Sequence, residues 1–359
     1  MTPSKHYTPQ PRVAQSDLEA GRPGYQRQFL FLVRHAESRW NQAQRDNNLI
    51  SMFKECDHGI TKEGRNQAER LRHCIDNASS ADDPWHFRFG RPCVIFISPL
   101  TRALQTAVIA LNGIITSNRA DLSVLRCLRE KKNFCGQDST GIAVGPAIKD
   151  RLLQELEHLY VVNEKLVEIG PRVHGWPRIR RSLSTQIKLE MRKTFLEFAR
   201  QLSIDTKDVQ ECWWDRIVET DSDFGQRLKV FMEQIRLCGK ESIIIVGHSH
   251  FFRRLLRLAH CRQTNCALAE RLKTVLIPNC GVIGLEILWM SAGQYVIEEA
   301  VPLFGTVVNE IPVRHLTLDV KPCISKLRQF WVGITSCRHC RRCCRHRKLK
   351  ATDSRDLEM

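Results

Sequence analysis

Short apolar runs of the kind that form buried parallel strands recur along the chain. They lie at Gln28–Val33, Cys93–Ile97, Leu122–Leu125, Ser242–Val246 and Thr274–Ile277. The last run continues through Gly281–Ile287 and then Tyr295–Ile297, which predicts a hairpin at the edge of a sheet.

Apolar residues at helical spacing fill the intervals between these runs. The predicted helices cover Thr61 to about Cys74, Pro99 to about Leu111, and residues 147–169, 183–204, 223–237 and 249–260. Thr61 followed by Glu63 is a helix-start pattern, and proline suits a first helical turn. Strands that alternate with helices predict an α/β fold: a mostly parallel open sheet with helices on both faces.

The pattern divides the chain into three parts. Residues 1–27 are polar and carry no signal peptide, so we expect a disordered leader. Residues 28–312 are expected to form one α/β domain, in which the strand-free stretch at about 140–215 is a helical insertion over one end of the sheet. Residues 313–359 form a separate basic tail that is rich in cysteine.

The net charge of +16 favours anionic partners such as phosphorylated substrates or an acidic membrane surface. Nucleic acid is not expected, because the chain contains no recognisable nucleic-acid-binding module. The 15 cysteines are expected to be reduced thiols, since the chain is large and no secretion signal precedes it. No apolar run approaches the roughly 20 residues of a membrane-spanning helix.

Polar residues suited to phosphate chemistry follow four of the predicted strands. They are Arg34 and His35, then Ser98–Arg102, then Arg129 and Glu130, then Gly247–His250. The carboxyl ends of the strands in such a sheet meet at one rim, where ligands bind. A neutral imidazole can attack phosphorus, guanidinium groups match phosphate oxygens, and a carboxyl group can protonate a leaving alcohol. The pattern therefore predicts phosphoryl transfer, with cationic side chains supplying the charge.

Four segments, in order, resemble the signature of the histidine phosphatase superfamily, in its phosphoglycerate mutase-like branch. They are Leu32-Val-Arg-His-Ala-Glu-Ser-Arg-Trp-Asn41, His58-Gly-Ile-Thr-Lys-Glu-Gly-Arg-Asn-Gln-Ala68, Ile97-Ser-Pro-Leu-Thr-Arg-Ala-Leu-Gln-Thr-Ala107 and Val246-Gly-His-Ser-His250, followed by Pro278-Asn-Cys-Gly281. The resemblance covers residues 28–300 approximately. It implies an open α/β sheet and a phosphohistidine intermediate, with no cofactor and no metal.

The resemblance also implies a role for each matching residue. The nucleophile is His35, the phosphate pocket is Arg34, Arg102 and His248, the further substrate-binding residues are Asn41 and Ser249, and the proton donor is Glu130, with Asp138 as the alternative donor. The chain departs from the family pattern at three positions where glycine is common, namely Ala36, Ser249 and His250. If the backbone must approach phosphate closely at the last two, turnover would be reduced.

These residues predict an enzyme that hydrolyses a phosphate monoester on a small molecule or a phosphoprotein. A phosphomutase is one alternative. A non-catalytic protein that binds a phosphorylated ligand or acts as a scaffold is another. The intact His35 argues against the non-catalytic alternative, whereas Ser249 and His250 leave it open.

The tail allows three interpretations. Apolar residues at helical spacing from Ile324 to Ile334 precede the basic segment Cys337–Lys350, which contains four clustered cysteines. The segment could bind zinc, carry acyl chains as a two-signal membrane anchor, or be a disordered basic tail. We expect a cytoplasmic protein, with peripheral membrane attachment through this tail as one of the alternatives.

Overall fold

The structure is a computed structural model. It describes residues 26–308 except for 79–82, 93, 119, 133–136, 162–177, 216, 262–266 and 291–293. Residues 26 and 27, assigned to the leader from the sequence, already belong to the first strand. The rest of the predicted leader and the whole cysteine-rich tail lie outside the described residues, so both remain predictions.

In the described part of the chain, seven strands form one mixed, mostly parallel open sheet. The strands are β1 (Gln26–Arg34), β2 (Val94–Ile97), β3 (Asp121–Val124), β4 (Ser242–Gly247), β5 (His260–Cys261), β6 (Val282–Trp289) and β7 (Tyr295–Leu303). Their order is β3-β2-β4-β1-β6-β7-β5. The first four in this order run parallel, β6 is antiparallel to both β1 and β7, and β5 pairs parallel with β7.

Helices cover both faces of the sheet, as the sequence predicts. They are α1 (Arg39–Arg45), α2 (Leu49–Lys54), α3 (Lys62–Asn77), α4 (Pro84–Gly90), α5 (Thr101–Ala110), α6 (Asn112–Asn118), α7 (Ala147–Val161), α8 (Arg178–Gln201), α9 (Asp221–Leu237), α10 (Ser249–Leu258) and α11 (Ala267–Leu272). Helices α3, α5 and α7 pack in one core, and helices α9, α10 and α11 pack in the other. Within the described residues, none of these helices is long and apolar enough to cross a membrane.

The central strand β1 contributes to both cores because its side chains alternate between the two faces. Phe31 and Val33 pack with the α3 and α5 side, whereas Leu30 and Leu32 pack with the α9 and α10 side. A strand that is buried on both faces shows a continuous apolar run instead of an alternating pattern, which is why the sequence predicts it clearly.

Helix boundaries agree with the predictions to within a few residues. Thr61 caps α3, and its hydroxyl accepts a hydrogen bond from the Gly64 N–H at 2.9 Å. Helix α5 begins at Thr101, two residues after the predicted start at Pro99. The helix predicted over 147–169 is described as far as Val161.

The strand predicted at Thr274–Ile277 was wrong. Hydrogen bonds from the Thr274 and Val275 N–H groups to the Arg271 carbonyl, both 3.1 Å, make a turn that follows α11. The Ile277 carbonyl then accepts a hydrogen bond from the guanidinium of Arg34 at 2.6 Å. The run is apolar like a buried strand, but its backbone forms a turn and bonds to a side chain instead of pairing with a strand. The prediction from hydrophobicity was therefore wrong here.

Where it is described, the stretch at 140–215 contains the two helices α7 and α8, which pack on the α5 side of the sheet. One detail departs from the strand-free prediction. The Asp205 N–H donates to the Leu122 carbonyl of β3, and the Asp205 carbonyl accepts from the Val124 N–H, each at 2.8 Å. The end of the stretch is therefore attached to the sheet edge by a single bridge.

Candidate active site

Sheet register brings the two predicted histidines to the same rim. Strands β1 and β4 are parallel, with Arg34 opposite Gly247, so the residues that follow them emerge side by side. The His35 N–H donates to the Gly247 carbonyl at 3.0 Å. The imidazole rings of His35 and His248 have their centroids 5.1 Å apart.

The tautomer of His35 follows from its hydrogen bonds. Its Nδ1 lies 2.7 Å from the Ala36 carbonyl oxygen, which can only accept, so Nδ1 carries the proton. The lone pair is then on Nε2, which accepts a hydrogen bond from Nε of Arg102 at 3.3 Å. Asn279 holds the backbone from the other side by donating to the His35 carbonyl at 2.9 Å.

His35 is kept neutral by its surroundings. Burial lowers the pKa of the imidazole well below its usual 6.5, and the nearby Arg102 and Arg34 guanidinium groups lower it further. The Ala36 carbonyl opposes this shift without reversing it. A buried, neutral imidazole with an oriented lone pair is the form that can act as a nucleophile.

Arg102 is almost fully buried, at 2% exposure, in the first turn of α5. It donates to the Asp138 carbonyl at 2.5 Å, and its guanidinium lies 3.7 Å from the Asp138 carboxylate. The start of α5 is capped from another segment, because the Asp57 carboxylate accepts from both N–H and Oγ1 of Thr101, at 2.8 and 2.6 Å. This cap fixes the helix end that carries Arg102.

Arg34 remains a cation despite its burial. Burial lowers the pKa of this guanidinium to about 10, and the neighbouring Glu130 carboxylate opposes the shift. One terminal nitrogen bonds to Ile277 O, whereas Nε is buried and has no hydrogen-bond partner among the described residues. A charged donor is therefore available inside the site.

His248 and Ser249 add two further buried polar atoms without partners. Nε2 of His248 lies 2.7 Å from Oγ of Ser98, while its Nδ1 and the Ser249 hydroxyl have no partner among the described residues. Burial and the nearby Arg102 charge lower the pKa of His248 well below 6.5, so this ring is also neutral. Helix α10 begins at Ser249 and directs its N-terminal N–H groups toward the same region.

The two candidate acids lie beside the two arginines of the site, Asp138 against Arg102 and Glu130 near Arg34. Glu130 follows a 3₁₀ turn, Arg126–Leu128, and its carboxylate accepts the Lys131 N–H at 2.8 Å. Burial raises the pKa of Asp138, Arg102 opposes this rise, and Glu130 adds to it. The two carboxyl groups are therefore close enough to interact, and the structure contains both the predicted donor and its alternative.

Two of the sequence-predicted residues are engaged elsewhere. Oδ1 of Asn41 accepts from the N–H and hydroxyl of Ser38, at 3.3 and 3.1 Å, in the cap that starts α1. Arg129 pairs with Asp215 at 2.5 Å and with Glu219 at 3.4 Å. Its guanidinium is therefore committed to acidic side chains, and the phosphate contact predicted for Asn41 stays a prediction.

Sequence reasoning missed several residues that hold the site in place. They are Ser98 beside His248, Asn279 beside His35, Thr106, whose hydroxyl accepts the Ala36 N–H at 2.9 Å, and Asp57 at the start of α5. Ser98, Thr106 and Asn279 stand inside segments that carry the family resemblance. Asp57 has no local signal, because it meets the site only through the fold.

The fold and the site together define an α/β protein with a buried cluster of arginine and polar side chains around a neutral imidazole. The model of the histidine phosphatase superfamily, branch 1, matches residues 30–133. The resemblance seen in the sequence is therefore confirmed over residues 30–133, where this chain is similar to the histidine phosphatase superfamily. The match ends just after Glu130 and contains three of the pocket residues, Arg34, His35 and Arg102.

Solved structures with a related fold include both phosphatases and a mutase. The alpha-ribazole phosphatase from Shigella flexneri is 18% identical, with 78% of this chain and 98% of that chain covered, at a TM-score of 0.39. A phosphoglycerate mutase from Bacillus anthracis str. Sterne is 16% identical, with 77% and 93% covered, at 0.39. The ecdysone phosphate phosphatase from Bombix mori is 15% identical, with 83% and 100% covered, at 0.38. Comparison with curated proteins finds no match.

Proposed function

We propose that the protein is a phosphatase that hydrolyses a phosphate monoester through a phosphohistidine on His35. The observation that carries this proposal is the state of the His35 ring. Its Nδ1 proton is held by the Ala36 carbonyl, and its Nε2 lone pair faces a site that contains Arg102. Three buried atoms, on Arg34, His248 and Ser249, have no hydrogen-bond partner among the described residues and are suited to phosphate oxygens.

In the first step, Nε2 of His35 attacks phosphorus and the bond to the ester oxygen breaks. The leaving oxygen takes a proton from Glu130 as the P–N bond forms. In the second step, a water oxygen attacks phosphorus while the Glu130 carboxylate takes its proton. The P–N bond then breaks, inorganic phosphate leaves, and both His35 and Glu130 return to their starting states.

His248 is suited to stabilise the equatorial oxygens. The Ser98 hydroxyl can donate to Nε2 of His248, which leaves the proton on Nδ1 as a donor toward the phosphate. Together with the Arg34 and Arg102 cations, this donor would offset the charge that develops in the transition state. We therefore propose that turnover does not depend on a metal ion, and EDTA should leave it unchanged.

The substrate proposed is a phosphorylated small molecule or a phosphoprotein. Purified protein should be screened against phosphorylated metabolites, phosphopeptides and nucleotides for phosphate release, with His35→Ala as the control. Phosphate release that persists in this variant would overturn the assignment of the nucleophile. Transfer of the phosphoryl group to a second hydroxyl, with no free phosphate, would instead show a mutase.

We also propose a cytoplasmic location with peripheral attachment through the basic tail. The support is sequence alone: four cysteines and a basic run after an apolar helical pattern. Fractionation of the full chain beside a variant with Cys337, Cys340, Cys343 and Cys344 changed to Ser tests it. If the full chain remains in the soluble fraction at low salt, the attachment proposal is wrong.

A further inference from the structure

The segment that carries Glu130 has little regular structure of its own. It leaves the 3₁₀ turn Arg126–Leu128 and continues without a helix or strand to Lys132. Glu130 is nevertheless 6% exposed, so its carboxyl group is held inside the site. An acid that must reach one ester oxygen needs a fixed backbone, and the hydrogen bonds for this backbone have to come from elsewhere.

Arg227, on helix α9, supplies two of these hydrogen bonds. Its Nη1 donates to the carbonyls of Cys127 and Arg129, at 2.7 and 2.8 Å. The Arg129 carbonyl belongs to the peptide bond that joins Arg129 to Glu130. The Arg227 side chain is 7% exposed and lies over the Phe224 ring, 4.6 Å from its centroid.

Glu219 orients Arg227 and holds the other end of the segment. Its two carboxylate oxygens accept from Nε and Nη2 of Arg227, at 2.7 and 2.6 Å, in a bidentate pair. The Glu219 N–H also donates to the Lys132 carbonyl at 3.0 Å. The carbonyls bonded in this way lie on both sides of Glu130.

This arrangement uses a property that only arginine has. One guanidinium bonds to two carboxylate oxygens and two backbone carbonyls at once, because its five N–H groups lie in a fixed plane. A lysine at the same position would keep the charge but has three donors on one nitrogen and cannot match this geometry. The pair is almost fully buried, with 2% of the Glu219 side chain exposed, so solvent does not replace a lost contact.

We propose that Arg227 and Glu219 are positioning residues that hold the Glu130 backbone in the place from which its carboxyl group can protonate the leaving group. This inference rests on the proposed phosphatase function and on Glu130 as its acid. Neither residue touches the phosphate in this account. They act on the reaction through the backbone on either side of Glu130, where their hydrogen bonds lie.

Two variants test the proposal in the full chain. Arg227→Lys keeps the positive charge but removes the planar guanidinium that makes the four hydrogen bonds. The double variant Arg227→Met with Glu219→Leu removes both charges together, so that no buried charge is left unpaired if the single variant folds poorly. Arg236→Lys is the matched control, because Arg236 lies on the same helix in an exposed pair with Glu233 at 2.5 Å.

The measurement is kcat/KM, which reports the phosphorylation step and not the later hydrolysis of the phosphohistidine, for two esters: an alkyl phosphate that needs protonation and 2,4-dinitrophenyl phosphate that does not. Both test variants should lose about 10- to 100-fold on the alkyl ester, since a small misplacement of a catalytic group has effects of this size. The aryl ester should change by less than about twofold, because its leaving group needs no acid. In a Glu130→Gln background, Arg227→Lys should cause no further loss.

Binding of inorganic phosphate, measured by calorimetry, separates the two proposals. Its affinity should stay at the wild-type value in both variants, because the pocket residues are unchanged. Equal losses on the two esters, or losses that multiply with Glu130→Gln, would overturn the positioning role while leaving the phosphatase proposal in place. A wild-type protein that hydrolyses neither ester would overturn the function, and the positioning role with it.

Discussion

The two halves of the candidate site are held by different kinds of bond. On the nucleophile side, backbone hydrogen bonds of the sheet place the chain, with the Arg34 N–H on Gly281 O at 3.1 Å and the His35 N–H on Gly247 O at 3.0 Å. On the acid side, the backbone beside Glu130 is bonded to the side chain of Arg227. The position of His35 is therefore set by strand register, and the position of Glu130 by side-chain contacts.

Because the two halves are held by different bonds, a single substitution has different effects in each half. Backbone bonds between β1 and β4 are lost only when the sheet itself opens, so the nucleophile position resists single substitutions. Side-chain bonds on the acid side can be removed one at a time while the sheet stays intact. We therefore expect loss of the nucleophile itself to abolish turnover for every ester, and changes on the acid side to have effects that depend on the leaving group.

The largest expected effect is that of His35→Ala. Loss of the nucleophile should lower kcat by at least about 10⁴-fold on both alkyl and aryl phosphates, because no other group takes its place. Steady-state phosphate release measures it, and mass spectrometry after a neutral quench should find the phosphoryl group on His35 in the wild type. The control is His73→Ala, an exposed histidine on α3. A phosphoryl group found on serine or aspartate would defeat the assignment.

Glu130→Gln should have a large effect that depends on the ester. Turnover of alkyl phosphates should fall about 10²- to 10⁴-fold, the usual contribution of a positioned general acid. An activated aryl phosphate should lose much less in the phosphorylation step. Asp138→Asn is the comparison variant, and if it shows the selective loss in place of Glu130→Gln, Asp138 is the acid.

Ser98→Ala should weaken the nucleophile side without disabling it. The change removes the hydroxyl that lies 2.7 Å from Nε2 of His248, and leaves that nitrogen buried without a partner. Unfolding in urea should report a loss of about 1–3 kcal/mol, and KM should rise several-fold as His248 loses its orientation. An unchanged KM for both esters would show that Ser98 does not orient the ring.

The two halves should respond oppositely to acid. His248 has a folded-state pKa below 6.5, so below pH 6.5 the unfolded chain binds more protons and stability falls. Asp138 has a folded-state pKa above 3.8, so as pH falls toward 3.8 the folded chain binds more protons and stability rises. Each group contributes at most about 1.4 kcal/mol per pH unit.

Urea unfolding between pH 7 and 4 checks this last prediction. His248→Asn should lose less stability than the wild type below pH 6.5, because the penalty for excluding a proton is gone. Asp138→Asn should lose more at the acid end, because the compensating proton uptake is gone. Parallel curves for the three proteins would contradict both assignments.

Strand positions followed from the sequence wherever the strand is buried on both faces. The runs that became β1 and β4 are continuous and apolar because each side chain meets one core or the other. The criterion of a continuous apolar run failed at Thr274–Ile277, since this run is an apolar turn after α11 and not a strand covered on both faces. Residues directly after strands were likewise predictable, which is how His35, Arg102 and His248 were placed at one rim.

The sequence alone determined the sheet-and-helix alternation and the order of the motifs, and it supplied the candidate nucleophile and the candidate phosphate-binding residues, because each leaves a local pattern at a strand end. Only the tertiary structure decided the His35 tautomer, the Asp57 cap on α5 and the contact between Arg227 and the carbonyls beside Glu130. The Asp57 cap and the Arg227 contacts join atoms 44 to 100 residues apart in the chain. A contact across such a separation leaves no periodicity or spacing in the sequence, since it forms only when the sheet has brought distant segments together.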